Sequence, residues 1–509
     1  MAVDLADTAG LRRAPKIEPN QVFRLLLGLF LLLTLALSVL IPAWEANDEP
    51  DHFRNVQTLV RGRWYRMEPG AGYSAHQAPL YYLGLAAIQK AAGLSPFTPK
   101  LEDNPNTPEQ GLFAHNDADA QRRVVLLRLP SILLGALTVW LTRRVARKAG
   151  LSAWGAVLAA SIVATLPRFV FLSSVITNDN LAITLGAWAT LLAVGLVTDE
   201  HVSVKRLFGF GAVLGLMLET KLSAIPIAVA LALGVGVARW TQRRREFIKI
   251  EPDSRAKSMM LDRSSVKQSA HIILVVAAGV LLVAAPVLLS NQLRYGDPLA
   301  SKASVDYFRE LLPPLVAVPH TWAWFGVAVG SGFSTSFWYV SGWNQFRWKA
   351  ETYVPLWLLA ALGLLGCLFR RGDAPRERVT SKSAASSKTP VKASSTTSVK
   401  TSVQTALIAT SKDDSHTGTS HKSASPSGAI GLLAGVAVAS VSVVWLLATQ
   451  TTQWQARTSF PGLAAFATLI SIGYRRLRIP TGLQFLLPAL TLTGTLYAIH
   501  ADVINRYFV

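Results

Sequence analysis

The stretch VFRLLLGLFLLLTLALSVLIPAWEANDEPDHF, residues 22–53, decides how this chain is read. From Val22 to Ala43 it carries one charge, Arg24. About 20 such residues cross the hydrocarbon core of a bilayer as a helix. The remainder places four carboxylates, Glu45, Asp48, Glu49 and Asp51, with His52 inside eight residues. They stand where that helix leaves the hydrocarbon. Pro42-Ala43-Trp44 is a poor small-residue cleavage site, so the run reads as a retained span and not as a signal peptide.

Further apolar runs follow near 124–142, 153–171, 181–198, 206–219, 222–239, 271–290, 353–369, 428–449, 460–473 and 481–499. With the first they make eleven. The pair 206–219 and 222–239 meets at Glu219-Thr220-Lys221, as two short helices with an outer turn or as one broken helix. The expected fold is therefore an all-α polytopic membrane protein, a bundle of about 11 transmembrane helices.

Composition agrees. The 509 residues hold 50 Lys and Arg against 30 Asp and Glu, a formal charge of +20, yet only 16% are charged and 51% are hydrophobic. Soluble domains average about 25% charged residues. A soluble enzyme and a disordered chain are both excluded. The one cysteine, Cys367, excludes a disulfide framework and a Cys-based metal site.

Lysine and arginine mark alternate connections. They cluster at Arg12 to Arg24, Arg143 to Lys148, Lys205-Arg206, Arg243 to Lys267, Arg370-Arg371 and Arg475 to Arg478. The positive-inside rule assigns these to the cytoplasm. Residues 1–21 are then a cytoplasmic arm. Residues 22–370 form a transmembrane catalytic module with long extracytoplasmic loops at 44–122 and 291–352. Segment 371–427, rich in Ser, Thr, Lys and Ala, reads as a disordered cytoplasmic loop, and 428–509 as C-terminal spans. The basic charge serves orientation and contact with membrane lipids, with no aromatic interleaving for nucleic acid.

The outer loops carry the chemistry. Packed carboxylates raise one another's pKa or need a cation. Asp48 and Glu49 suit a general base acting on a hydroxyl. Asp48, Glu49 and Asp51 are the ligands if a divalent metal, Mg or Mn, takes part. The structural alternative is Asn47 or Asp48 capping a helix that starts at Pro50. His76-Gln77-Ala78-Pro79-Leu80-Tyr81-Tyr82 precedes an apolar run to Ala92 that is short for a span and is expected to lie at the interface. Tyr81 and Tyr82 read equally as an aromatic belt or as substrate contacts. Arg128, Lys221, Arg294 and Arg457 all fall at the outer level, with Asn178-Asp179-Asn180. Each cation alone reads as a snorkelling anchor; together they suit an anionic lipid headgroup such as a phosphate.

These pieces resemble the GT-C superfamily of membrane glycosyltransferases, which includes the protein O-mannosyltransferases and the aminoarabinose transferases of lipid A. The resemblance rests on Asp48-Glu49-Pro50-Asp51-His52-Phe53, His76-Gln77-Ala78-Pro79-Leu80-Tyr81-Tyr82 and Arg128-Leu129-Pro130-Ser131. It extends through Thr177-Asn178-Asp179-Asn180-Leu181, Thr220-Lys221-Leu222 and Tyr295-Gly296-Asp297-Pro298, in that order. It covers roughly 20–300. Two places depart from it: Gln77-Ala78 replace part of the family's usual His-Pro-Pro-Leu, and Arg457-Thr458 stand where Arg-Tyr is frequent.

The resemblance implies a GT-C-like bundle with interfacial helices in the first outer loop. It implies hexosyl or pentosyl transfer, with inversion, from a polyprenyl-phosphate-sugar donor to a lipid, glycan or protein acceptor. It implies a bacterial inner (cytoplasmic) membrane with the active site facing the periplasm or the cell exterior. Asp48 matches the family's base or acceptor-positioning carboxylate, and Glu49 its neighbour. His76 and Tyr82 fall in the motif near the lipid phosphate, and Lys221 in the short turn between spans. Asp51, His52, Tyr81, Arg128, Asn178, Asp179, Arg294 and Arg457 complete the expected substrate site. The alternative is a lipid or small-molecule transporter or flippase, which would need a polar path through the whole thickness.

Overall fold

The computed structural model describes residues 17–98, 102–103, 112–113, 117–250, 255–342, 344, 346–369, 426–452 and 454–507. The expected arm up to residue 16 and most of the expected loop 371–427, up to 425, lie outside them.

The first helix, α1 (Pro19–Leu40), opens on Pro19 behind a Glu18/Gln21 capping box. Pro42 follows at once and cannot continue it. Two short helices come next, α2 (Glu49–Val60) and α3 (Leu80–Ala91), with a 3₁₀ turn at Tyr73–His76 between them. At 12 residues each they are too short to span. The expected interfacial helix is α3. A two-residue antiparallel pair, Glu102–Asp103 with Leu112–Phe113, is the only sheet among the described residues.

The bundle follows. Asp117 caps α4 (Ala118–Lys148) by accepting from the Asp119 and Ala120 N–H groups, each at 3.0 Å. The run 153–171 is not one span. It breaks at Thr165-Leu166, where Pro167 pushes the backbone extended, into α5 (Ala153–Ala164) and α6 (Pro167–Leu172). Then come α7 (Asp179–Thr198) and α8 (Val204–Thr220). Lys221 is extended, with φ −160°, and a 3₁₀ turn at Leu222–Ala224 leads to α9 (Ile225–Ile250). The pair 206–219 and 222–239 is thus two helices with a turn at Lys221.

After α10 (Arg255–Tyr295), the second long loop is mostly helical: α11 (Ser301–Leu311), α12 (Pro313–Val316) and α13 (Val329–Trp338). The chain ends through α14 (Ala350–Gly366), α15 (Pro426–Ala448), a 3₁₀ turn at Ala456–Gly462, α16 (Leu463–Arg476) and the segmented stretch Thr481–Ile504.

Among the described residues seven helical stretches are long and apolar enough to cross a membrane, not eleven. Each of the eleven expected runs is helical. Four of them, at α5–α6, α8, α14 and α16, are too short or too broken to count by length. Small residues let these shorter helices pack closely. A Cβ on Gly473 of α16 would strike the carbonyl of Gly363 in α14.

One end of the bundle is basic. At the foot of α7, Asp199 pairs with Lys148 at 2.5 Å and Arg206 at 2.7 Å, and its carbonyl accepts from Arg239. The other end of α7 begins at Asp179. Twenty residues at 1.5 Å each separate the two by about 30 Å, the thickness of a bilayer core. The charges described next all lie at the Asp179 end.

Candidate active site

The segment after Pro42 turns back through two left-handed residues, Trp44 (φ 75°) and Asp48 (φ 64°), before α2 begins. The Asn47 N–H donates to the Gly342 carbonyl at 3.1 Å, which ties this turn to the second outer loop. Asp48 and Glu49 therefore face opposite ways.

Glu49 faces the protein. Its carboxylate takes Arg128 in a two-pronged pair, Nε to Oε1 at 2.8 Å and Nη2 to Oε2 at 2.6 Å, and also the Ile176 N–H at 3.0 Å. Neither side chain of the pair reaches solvent. Arg128 also donates to the Ser38 and Ile41 carbonyls, both at 2.7 Å, and more weakly to Pro42. These are the orphan carbonyls at the C-terminus of α1. The pair locks α1, α2, α4 and the approach to α7 into one joint. Neither residue lines the cavity that Asp48 faces.

Asp48 faces a cavity of about 250 Å³. Although it sits at the cap position of α2, its side chain accepts no cap hydrogen bond. It pairs with Arg457, from the 3₁₀ turn leading into α16. Arg457 Nη1 also stands 3.6 Å from Asp179 Oδ2, and Lys221 Nζ lies 2.5 Å from Asp179 Oδ1. The result is an alternating chain, Asp48–Arg457–Asp179–Lys221, along one wall. Burial would raise the Asp48 pKa. Arg457, His52 and Lys221 outweigh it and hold the carboxyl below its ordinary value of 3.8.

Two histidines share the cavity. Burial pushes each down to about 4 against the opposing pull of Asp48 on His52 and of the Tyr73 carbonyl on His76, so both are neutral at pH 7. His52 Nδ1 is hydrogen-bonded to the Tyr82 hydroxyl at 2.7 Å. His76 contacts Gln77 through Nε2, and packs edge-on to Phe308 of α11 at 4.8 Å between centroids. Asn178 joins two expected motifs by donating to Gln77 Oε1 at 3.0 Å and to the Thr220 carbonyl at 3.1 Å.

Of the residues singled out in the sequence, Asp48, His52, His76, Asn178, Asp179, Lys221 and Arg457 line this one cavity. The others do not. Asp51 pairs with Arg54 at 2.7 Å, and burial raises it to about 6. Tyr81 is bonded to Ser131 at 3.0 Å inside the fold, and Tyr82 stands behind His52. Arg294 lies against the Trp64 ring in a neighbouring cavity, beyond a wall of His76, Gln77 and Ala78. Asp48, Glu49 and Asp51 point to three different guanidinium groups. Among the described residues no group of three or more His, Cys, Asp or Glu is placed to hold a metal ion.

Sequence reading missed Arg168. It is buried in α6, donating to the Val340 carbonyl and, at 3.1 Å, to Gln455 Oε1 on the cavity wall. An arginine inside an apolar run is a signal in itself. Here it follows Pro167 in the run 153–171.

No curated protein matches the chain. Solved structures resemble it at low identity. ArnT from Cupriavidus metallidurans, bound to undecaprenyl phosphate, is 13% identical with a TM-score of 0.48, over 93% of this chain and 64% of that one. The apo oligosaccharyltransferase of Archaeoglobus fulgidus is 13% identical with a TM-score of 0.44, over 96% and 55%. The S. cerevisiae Pmt1-Pmt2 complex, bound to the sugar donor, is 18% identical with a TM-score of 0.32, over 60% and 35%. The chain thus spans less than two thirds of the length of each. Residues 121–252, a stretch that holds Arg128, Asp179 and Lys221, match the family model of the dolichyl-phosphate-mannose-protein mannosyltransferases, and over that stretch the chain is similar to the GT-C glycosyltransferases that its motifs resemble.

Proposed function

We propose that the chain is an inverting glycosyltransferase. It moves a hexosyl or pentosyl group from a polyprenyl-phosphate lipid to a hydroxyl of a lipid, glycan or protein. The positive-inside rule puts the basic end of α7 in the cytoplasm. The reaction then lies on the outer face, the periplasmic side of a bacterial inner membrane.

The alternating chain Asp48–Arg457–Asp179–Lys221 carries this reading. A glycosyl phosphate already has a good leaving group. The protein must align a hydroxyl behind the anomeric carbon, accept its proton and stabilise the departing phosphate. The new bond joins the acceptor oxygen to the anomeric carbon. The bond from that carbon to the phosphate oxygen breaks, and its electron pair leaves with the phosphate. Asp48 takes the hydroxyl proton. Arg457 and Lys221 take the charge that grows on the phosphate. Attack from the opposite face inverts the configuration.

The Arg457 link couples the two halves. A donor phosphate competes with Asp48 for Arg457. As the pair loosens, burial of Asp48 is less opposed, and its basicity rises when a substrate is present. Glu49 and Arg128 act through position: they fix the turn that aims Asp48. The charges gather at one end of α7 rather than along the bundle, which supports transfer over transport.

Lipid extracted from the purified full-length protein tests the class. Mass spectrometry is expected to find a polyprenyl phosphate, bare or glycosylated. Recovery of bulk phospholipid alone would count against the proposal.

A further inference from the structure

We infer that the sugar brought to this cavity is uncharged: neither an amino sugar nor a uronic acid. This rests on the proposed transferase reading and narrows its substrate class.

Among the described residues the Asp, Glu, Lys and Arg side chains lining the cavity are Asp48, Asp179, Lys221 and Arg457. Each is already committed to another in the chain of ion pairs. His52 and His76 add no charge, since burial holds both to about 4. One guanidinium, Arg168, stands behind the wall and reaches it through Gln455 without a carboxylate of its own. Two carboxylates against three cations leave a single positive charge. A polyprenyl phosphodiester carries a single negative charge, which balances it. A donor with an added ammonium or carboxylate on the sugar would bring a charge for which no charged lining side chain among the described residues is left unpaired, which is costly.

Two nearby acids are already paired. Glu49 is locked to Arg128 and Asp51 is paired with Arg54. Glu219 lines the neighbouring cavity, beyond His76, Gln77 and Ala78, and accepts the Val287 N–H at 3.0 Å.

Tyr73 and Phe308 also line the cavity, stacked at 5.1 Å between centroids, with the His76 ring edge-on to Phe308. An aromatic wall of this kind takes the apolar C–H face of a sugar ring. The neutral side chains of Ser74 and Gln450 line the same cavity and can meet hydroxyls.

Native mass spectrometry of the full chain in detergent tests this with four probes. They are undecaprenyl phosphate alone and the same lipid carrying mannose, 4-amino-4-deoxyarabinose or glucuronic acid. The expected result is that the bare lipid phosphate binds and the mannosyl lipid binds at least about tenfold tighter than either charged donor. If the bare lipid binds but the aminated or uronyl donor matches or exceeds the mannosyl lipid, the inference is overturned and the transferase reading stands. If none of the four binds, both fall.

Discussion

Arg457 reaches across more than 400 residues of sequence to pair with Asp48, and the same guanidinium stands 3.6 Å from Asp179. One cation is therefore shared by two carboxylates from separate parts of the bundle. The consequences are specific.

Removing Arg457 leaves Asp48 with its burial and less opposition. With Arg457 present, the folded Asp48 pKa lies below 3.8. Activity that needs the ionised carboxylate is then full above that value and is lost only as pH falls through it. In Arg457→Gln burial raises the carboxyl, so the acid limb of the rate profile moves to higher pH. Donor KM also rises. The pH dependence of kcat/KM with a synthetic polyprenyl-phosphate sugar measures both.

Glu49 and Arg128 are expected to matter for stability ahead of chemistry. Breaking a buried pair from one side leaves an unpartnered charge and costs about 3–5 kcal/mol. Glu49→Gln should lower the thermal midpoint in detergent sharply. Glu49→Gln combined with Arg128→Met should recover part of the loss, whereas Asp48→Asn should lower the midpoint less, because Arg457 keeps Asp179 within 3.6 Å.

The buried histidines set a pH dependence of stability. His52 and His76 fall from 6.5 to about 4 on folding, so between those values the unfolded chain binds more protons and stability drops as pH falls. Asp51 opposes this. Its pKa rises from 3.8 to about 6, so the folded chain binds the extra proton in nearly the same window. Two protons against one leave a net loss of about 1.4 kcal/mol per pH unit near pH 5. Thermal midpoints from pH 4 to 7 read it. His76→Gln should flatten the curve and Asp51→Asn should steepen it.

Much of the fold is visible in the sequence because apolar runs and basic connections are local signals. All eleven runs are helical, and the turn at Lys221 falls where Glu219-Thr220-Lys221 interrupts the pattern. Length across the membrane is less visible, since Pro167 divides one run and tertiary packing accepts the short α8, α14 and α16. The site is legible as a list but not as a partition. Asp48 and Glu49 are neighbours of the same chemistry, and a left-handed residue sends one to the cavity and the other to Arg128. Four cations at one level look alike in sequence. In the fold Arg457 and Lys221 meet the cavity, Arg128 braces α1, and Arg294 turns to Trp64. Arg168 acts through Gln455, a contact between residues 287 apart that no local pattern encodes.

The central claim is that Asp48 receives the acceptor's proton. The most direct measurement is release of undecaprenyl phosphate from its glycosylated form by reconstituted Asp48→Asn, beside the wild type and at saturating donor. The account predicts a loss of 10²-fold or more in kcat, of the order general-base catalysis supplies, with donor binding retained. Turnover by Asp48→Asn at the wild-type rate would contradict it.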